Sequence, residues 1–256
     1  MIFGGGDNRI RTWSRYARTA LAMAVCFLLV SSCFVPDQYE AEIRFTKLGA
    51  FGITYNGILV QAPFFSEIAR GNIKDGEDIQ TRIKGYTKQL KTDPDFKEVN
   101  SLGRGRFQVK YSREGRFFGA MQMVTFVSRQ APIFRIRTFE DGRVSVAGSG
   151  AGRQYADKLK AVGLNTQGLF RIVTDAEVLE HNAEFVRASS TPGYTIYDWR
   201  IRDFKDTPPR LIAKLIVDPK TGEPVKDKPV KNPPRSYQTM DEDDLDALAE
   251  KALKKK

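Results

Sequence analysis

Ile133-Phe134-Arg135-Ile136-Arg137-Thr138-Phe139, Glu140-Asp141-Gly142 and Arg143-Val144-Ser145-Val146-Ala147 form one continuous stretch whose reading decides the fold class. Apolar and polar residues alternate on both sides of Asp141-Gly142. A period of two is the mark of a strand with one buried face. Asp-Gly between two such runs is a strong local signal for a hairpin, because both residues tolerate the positive φ that tight hairpin turns require. The stretch therefore predicts an antiparallel pair, and with it a sheet that has one dry side.

The same period extends in both directions. Upstream, Phe107, Val109 and Tyr111 alternate with Arg106, Gln108 and Lys110, and Arg113-Glu114-Gly115 reads as a turn into a further strand over Phe117–Ser128. Ala41, Ile43 and Phe45 alternate with Glu40, Glu42, Arg44 and Thr46, and Phe51–Gln61 reads as the next strand after the turn-like Leu48-Gly49. Downstream, strands are predicted over Leu169–Thr174, Tyr194–Arg202 and Leu211–Val217. Helices are predicted in three places. Ile79, Ile83, Tyr86 and Leu90 fall on one face of a helix over Gly76–Lys91, which Asp93-Pro94 ends. Shorter helices are predicted over Pro63–Arg70 and Gln154–Val162. The fold class is α+β, a mainly antiparallel sheet with two or three helices.

Composition changes at both ends. Residues 219–239 carry five prolines and five Lys/Arg with little aliphatic content, which predicts an extended linker. In 240–256, Leu245, Leu248, Ala249, Ala252 and Leu253 share one face of a candidate amphipathic helix, with acids at its start and lysines at its end. So short a segment is marginal as a free helix, so both a solvated tail and a docking helix stay open. At the other end, Arg9, Arg11, Arg15 and Arg18 precede an apolar run, Ala20–Val30. Eleven residues are too few for a comfortable membrane span, which takes about 20. A basic segment followed by a short apolar one is the pattern of an export signal.

Val30-Ser31-Ser32-Cys33 closes that run and resembles the lipobox of bacterial lipoproteins: an aliphatic residue, two small ones, then Cys. The resemblance implies that the Cys33 thiol receives a diacylglyceryl group and that the chain is cut just before it. Cys26 has no small pair before it and is the poorer candidate. An uncleaved signal anchor over Thr19–Val35 is the alternative, although Ser31 and Ser32 interrupt it. The chain then divides into a signal peptide (1–32), a lipidated tether (33–37), an α+β envelope domain (38–218), the linker and the tail. Phe34 follows Cys33 where the lipoprotein family's inner-membrane retention signal has Asp. In a host with two membranes the expected place is the outer membrane, facing the periplasm.

Removal of 1–32 lowers the formal charge from +10 to +7, since four arginines leave with Asp7, and it leaves Cys33 as the last thiol. Acylation would consume that thiol, so disulfides are excluded and the apolar core alone must hold the fold. With His181 as the only histidine, no Cys/His metal site, Cys nucleophile or Ser-His-Asp triad can be assembled. No cofactor is expected and no enzymatic role. Nucleic acid is a poor partner outside the cytoplasm, whatever the charge.

Candidate sites remain, each with a plain structural alternative. Arg104, Arg106 and Lys110 lie on one face of their strand, and Arg135 and Arg137 on one face of theirs. If the strands are neighbours, the five form a stripe for an anionic lipid or an acidic polymer; otherwise they are a solvated sheet face. Gly148-Ser149-Gly150-Ala151-Gly152-Arg153 follows a strand and precedes a helix, where backbone N–H groups can hold an anion. It matches neither phosphate-loop spacing, and a simple connection explains it equally. His181 sits in the polar Glu180-His181-Asn182, read as a surface turn. Asp175, Glu177 and Glu180 are close in sequence, as a carboxylate pair would be, or are simply solvated. Tyr197 and Trp199 share a strand face, which suits core packing better than a ligand platform.

Gly168-Leu169-Phe170-Arg171-Ile172-Val173-Thr174-Asp175-Ala176-Glu177-Val178, then Glu180-His181-Asn182-Ala183 and Tyr197-Asp198-Trp199-Arg200-Ile201, resemble the end of an LppM-type lipoprotein domain. The resemblance covers about a sixth of the chain. It implies an α+β ectodomain tethered by an acylated Cys and engaged in lipid or surface interactions, with no catalytic residue. The expected function is that of a membrane-anchored envelope lipoprotein, non-enzymatic, that binds an anionic lipid, an envelope polymer or an envelope protein. Two alternatives stay open. One is a carboxylate-dependent hydrolase of envelope glycans. The other is a scaffold that docks a partner through Leu245, Leu248 and Leu253.

Overall fold

The computed structural model describes residues 34–73, 76–117, 122–127, 132–150, 152–217 and 221. Antiparallel pairs of consecutive strands dominate it. The chain runs through β1 (Phe34–Phe45), β2 (Ala50–Gln61), α1 (Ala62–Ala69), α2 (Glu77–Lys91), β3 (Phe96–Gly103), β4 (Arg106–Arg116), β5 (Met123–Thr125), β6 (Phe134–Thr138) and β7 (Arg143–Gly148). A 3-10 turn (Arg153–Tyr155) leads into α3 (Ala156–Ala161), followed by β8 (Gly168–Thr174), β9 (Glu177–His181), β10 (Phe185–Ala188), β11 (Thr195–Ile201) and β12 (Arg210–Lys214). The strands form a seven-stranded sheet, in the order β10-β11-β8-β1-β2-β4-β3, and a five-stranded sheet, β5-β6-β7-β12-β9. The pairings are antiparallel except that of β1 with β8, which is parallel and closes over a long intervening stretch of chain.

Alternation explains the core. Ala41, Ile43 and Phe45 of β1 share a face with Ile53 and Tyr55 of β2, Phe107, Val109 and Tyr111 of β4, and Phe170, Ile172, Tyr197 and Trp199 of β8 and β11. The five-stranded sheet turns Val124, Phe134, Ile136, Val144, Val146, Leu211 and Ala213 toward that face, and all of them are buried in one cluster. A chain of aromatic contacts bridges the two layers. Phe126 lies 4.7 Å from Tyr55 and 5.0 Å from Phe134, and Phe134 lies 5.6 Å from Phe170, centroid to centroid. Burying such rings against each other contributes more than area alone, about 0.5–1.5 kcal/mol per pair.

Helices α1 and α2 take the part of the long seven-stranded face beside Phe34. Ile79, Ile83 and Leu90 are buried there, and Tyr86 packs edge-on against Phe34 and Phe107. On the opposite face at the same end, α3 and Phe204 cover Val35, Ile58 and Val60 in a second, smaller core. Both faces are therefore dry here. That is why Ile58-Leu59-Val60 is a continuous apolar run and not an alternation.

Several expectations need correction. Residues 34–37, read as a tether, are the opening of β1, and Phe34 is only 4% exposed. Arg113-Glu114-Gly115 is not a turn: β4 runs through it to Arg116, paired with β2. A Cβ at Gly115 would lie 2.7 Å from the Phe51 ring, so this glycine makes room for the stacking of Phe51 on Phe117. The strand expected over Phe117–Ser128 is reduced, among the described residues, to Met123–Thr125. His181 ends β9 and is not in a turn. β3, β9 and β10 have no counterpart among the strands expected from sequence, and β12 stops at Lys214. The signal peptide, Cys33, the linker (apart from Thr221) and the tail lie outside the described residues.

Candidate ligand cleft at the start of the first strand

Of the five basic residues expected to form a stripe, Arg106 and Lys110 belong to the seven-stranded sheet and Arg135 and Arg137 to the five-stranded one. The sheets pack through their apolar faces, so the polar faces that carry Arg106 and Lys110, and Arg135 and Arg137, point away from each other. The five do not make one surface. Arg104 is not in a strand at all. It sits with φ +51° in the turn between β3 and β4. Arg106 reaches Asp37 at 3.4 Å, Lys110 reaches Glu98 at 3.0 Å, and Arg137 lies over the Phe139 ring at 5.0 Å. Burial holds the Asp37 carboxyl above its ordinary range, and Arg106 only partly offsets this.

The other sequence candidates have structural partners. His181 accepts a hydrogen bond at Nδ1 from the backbone of Ala183 and packs against Tyr197. Asp175 accepts from the backbone N–H of Lys47, and Glu180 pairs with Arg210. Trp199 is buried, and its indole N–H reaches both the carbonyl and the side-chain oxygen of Asn182. The same Asn182 oxygen accepts from Arg210 N–H, and its amide donates to the Pro208 carbonyl. Asn182 thus ties β11 of one sheet to β12 of the other. Among the described residues no group of three Asp, Glu, His or Cys side chains could hold a metal ion, and no helix is long and apolar enough to cross a membrane.

What the fold does assemble is a cleft where β1 begins. Phe34, Val35, Pro36 and Tyr39 form one wall, Pro132 and Ile133 with Gly148, Gly150 and Gly152 a second, and Ile201, Phe204, Pro208 and Pro209 a third, with Phe170 and Thr166 between them. It holds about 90 Å³ and its lining is mostly apolar. Admitting one water takes roughly 10–15 Å³, so the cleft has room for several waters or for the end of a hydrocarbon chain. The glycine loop has its reason here. A Cβ would lie 2.9 Å from Pro209 Cδ at Gly148, 2.8 Å from Pro208 Cγ at Gly150 and 2.5 Å from Phe204 Cδ1 at Gly152. These glycines let the loop lie flat against a proline pair and a phenyl ring. They are the floor of an apolar cleft, not a phosphate cradle.

Two kinds of polar group face this cleft. Thr166 is 4% exposed, and its hydroxyl has no hydrogen-bond partner. A buried hydroxyl without a partner costs roughly 1–3 kcal/mol, and a ligand acceptor would recover that. At the rim, Asp206 accepts from the backbone N–H groups of Arg202 and Asp203, and Asp203 is paired with Lys160. Hydrogen bonds from Lys160 and from the backbone of Lys205 hold the Asp203 carboxyl below its ordinary range. Burial raises the phenol of Tyr39 well above its usual range, so it stays neutral. None of Thr166, Asp203, Asp206 or Phe204 was singled out from sequence. Glycines at 148, 150 and 152, opposite Pro208-Pro209, were the signal available.

No family model matches the chain, and no curated protein does. A similar solved structure is the NMR structure of the folded domain of the LppM protein from Mycobacterium tuberculosis. The likeness has a TM-score of 0.33 at 7% identity, over 72% of this chain and 91% of that one. At that level neither fold nor function transfers.

Proposed function

We propose that this chain is a lipid-anchored envelope protein without catalytic activity, and that its cleft takes the apolar part of an anionic lipid. The observation that carries the reading is a juxtaposition. The lipobox cysteine, residue 33, is followed without any spacer by Phe34, which is buried and lines the cleft. An acylated Cys33 would hold the mouth of an apolar cleft at the membrane surface, where hydrocarbon is the abundant apolar ligand. The unpartnered Thr166 hydroxyl would meet an ester or headgroup oxygen. In a host with two membranes, placement in the outer membrane follows from Phe34 after the anchor.

The glycan hydrolase is the weaker reading. Asp203 and Asp206 both line the cleft, but glycoside hydrolysis needs one carboxylic acid that stays protonated near neutral pH. Lys160 keeps Asp203 ionised instead, and Asp206 is occupied with backbone donors.

The test uses the full-length protein recovered in its own membranes. Vesicles made from them receive a trace of anionic glycerolipid with a photoreactive group on its acyl chain. Crosslinked peptides are expected from the segments around Phe34, Ile133 and Phe204. Labelling spread evenly over the surface, or absent from these three, would remove the cleft as the ligand site.

A further inference from the structure

The anchor and the fold together fix which end of the domain meets the bilayer. One trans peptide unit advances the chain by about 3.8 Å. Phe34 is already in β1 and 4% exposed, so an acylated Cys33 leaves no slack between lipid and domain. The ends of the strands at Phe34 must therefore lie at the headgroup layer.

Two tips flank Phe34 at that end. On one side, Phe34 pairs with Gln61, the N–H of Gln61 bonds to the carbonyl of Gly105 at 2.8 Å, and Gly105 belongs to the β3–β4 turn. Adjacent strands are about 4.8 Å apart, so this turn lies about 10 Å from β1. Leu102, at the end of β3 just before the turn, is 54% exposed, and Arg104 in the turn is also exposed. On the other side, Gly152 lines the cleft with Phe34 and leads directly into Arg153, Gln154 and Tyr155. Tyr155 is 49% exposed, while the next residue, Ala156, is buried with Val35.

Each tip thus presents one large apolar or aromatic side chain beside one arginine. Among the described residues, neither Arg104 nor Arg153 makes an ion pair. The β3–β4 turn is also held firmly. Gly103, Arg104 and Gly105 have φ of +80°, +51° and +78°, and a Cβ at Gly105 would lie 2.9 Å from Phe64 Cδ1. Arginine stands at a left-handed position that glycine or asparagine would take more easily.

We propose that these tips are the surface by which the domain rests on an anionic bilayer. Leu102 and Tyr155 enter the interface, and Arg104 and Arg153 lie on lipid phosphates. This proposal rests on the lipid-anchor reading above.

The test keeps the full chain. Cys26→Ser is introduced, so that after acylation of Cys33 an added cysteine is the only free thiol. Leu102→Cys, Tyr155→Cys and, at the opposite end of β1, Leu48→Cys are each labelled with an environment-sensitive fluorophore. The processed proteins are then placed in acidic-lipid vesicles that contain a headgroup nitroxide quencher. The expected result is several-fold stronger quenching at 102 and 155 than at 48, weakening on neutral vesicles and at high salt. Quenching at 48 equal to that at 102 and 155, in protein that floats with the vesicles, overturns the orientation while leaving the anchor intact. Quenching that ignores lipid charge overturns the part given to the arginines. Protein that fails to float, with Cys33 open to the label, overturns the anchor reading and this proposal with it.

Discussion

At the scale of single residues, the cleft depends on Thr166 and on the glycines opposite Pro208 and Pro209. The Thr166 hydroxyl is buried without a partner, which is unfavourable in the free protein and useful only with an acceptor in the cleft. Thr166→Val keeps the branched shape and removes the hydroxyl. It should raise unfolding free energy by about 1 kcal/mol in the absence of lipid, read from denaturant titration. It should also weaken crosslinking of the acyl probe. Higher stability with unchanged crosslinking would make Thr166 an ordinary imperfection of the core. Little of this was legible in the sequence. Glycine at 148, 150 and 152 signals a close approach, but not what approaches, and the partners, Phe204 and the proline pair, are more than fifty residues away along the chain. Gly115 shows the same limit: the glycine that reads as a turn is a strand position emptied for Phe51.

At the scale of elements, most strands and helices were legible because each has one dry face. The Asp141-Gly142 hairpin, β1, β2, β8, β11 and the longest helix follow from period, and α1 from Pro63 and Gly71 at its ends. β3, β9 and β10 were not legible. Lys97, Glu98, Asn100 and Ser101 in β3 are exposed, as are all of β9 except Val178 and all four residues of β10, so none of the three carries the alternation that marks a core face. They are edge strands, placed by hydrogen bonding to neighbours and not by burial. Register between sheets was also out of reach, and with it the fate of the basic residues. Alternation tells that Arg106 and Arg135 are outside, not that their outsides are opposite. The joint between sheets rests on Asn182, whose side chain meets Trp199, Arg210 and Pro208. Asn182→Ala strands the indole side of that network and should cost about 2–3 kcal/mol. In a Trp13→Phe background the change should also red-shift Trp199 emission. Unchanged stability would mean that the apolar layers alone lock the sheets together.

At the scale of the whole molecule, a two-layer α+β sandwich carries its apolar cleft and two arginine-bearing tips at the end where β1 starts. That arrangement makes sense if residue 33 is where the chain meets the membrane, since there is no tether between it and the fold. The export and anchor reading of Arg9 to Cys33 rests on sequence alone, since those residues lie outside the described ones. The early start of β1 at Phe34 was not legible, because 33–37 reads as a tether while the backbone pairs Phe34–Asp37 with β2 and places a bulge between Asp37 and Glu40. An anchor with no slack also predicts that orientation, cleft and lipid act together, and all three fail if the anchor is elsewhere. The most direct measurement is the mass of the N-terminal peptide of the full-length gene product extracted from membranes. The expected peptide begins at Cys33 and carries a diacylglyceryl group on its sulfur. A peptide that retains residues before Cys33, or that begins at Cys33 or later without lipid, would contradict it.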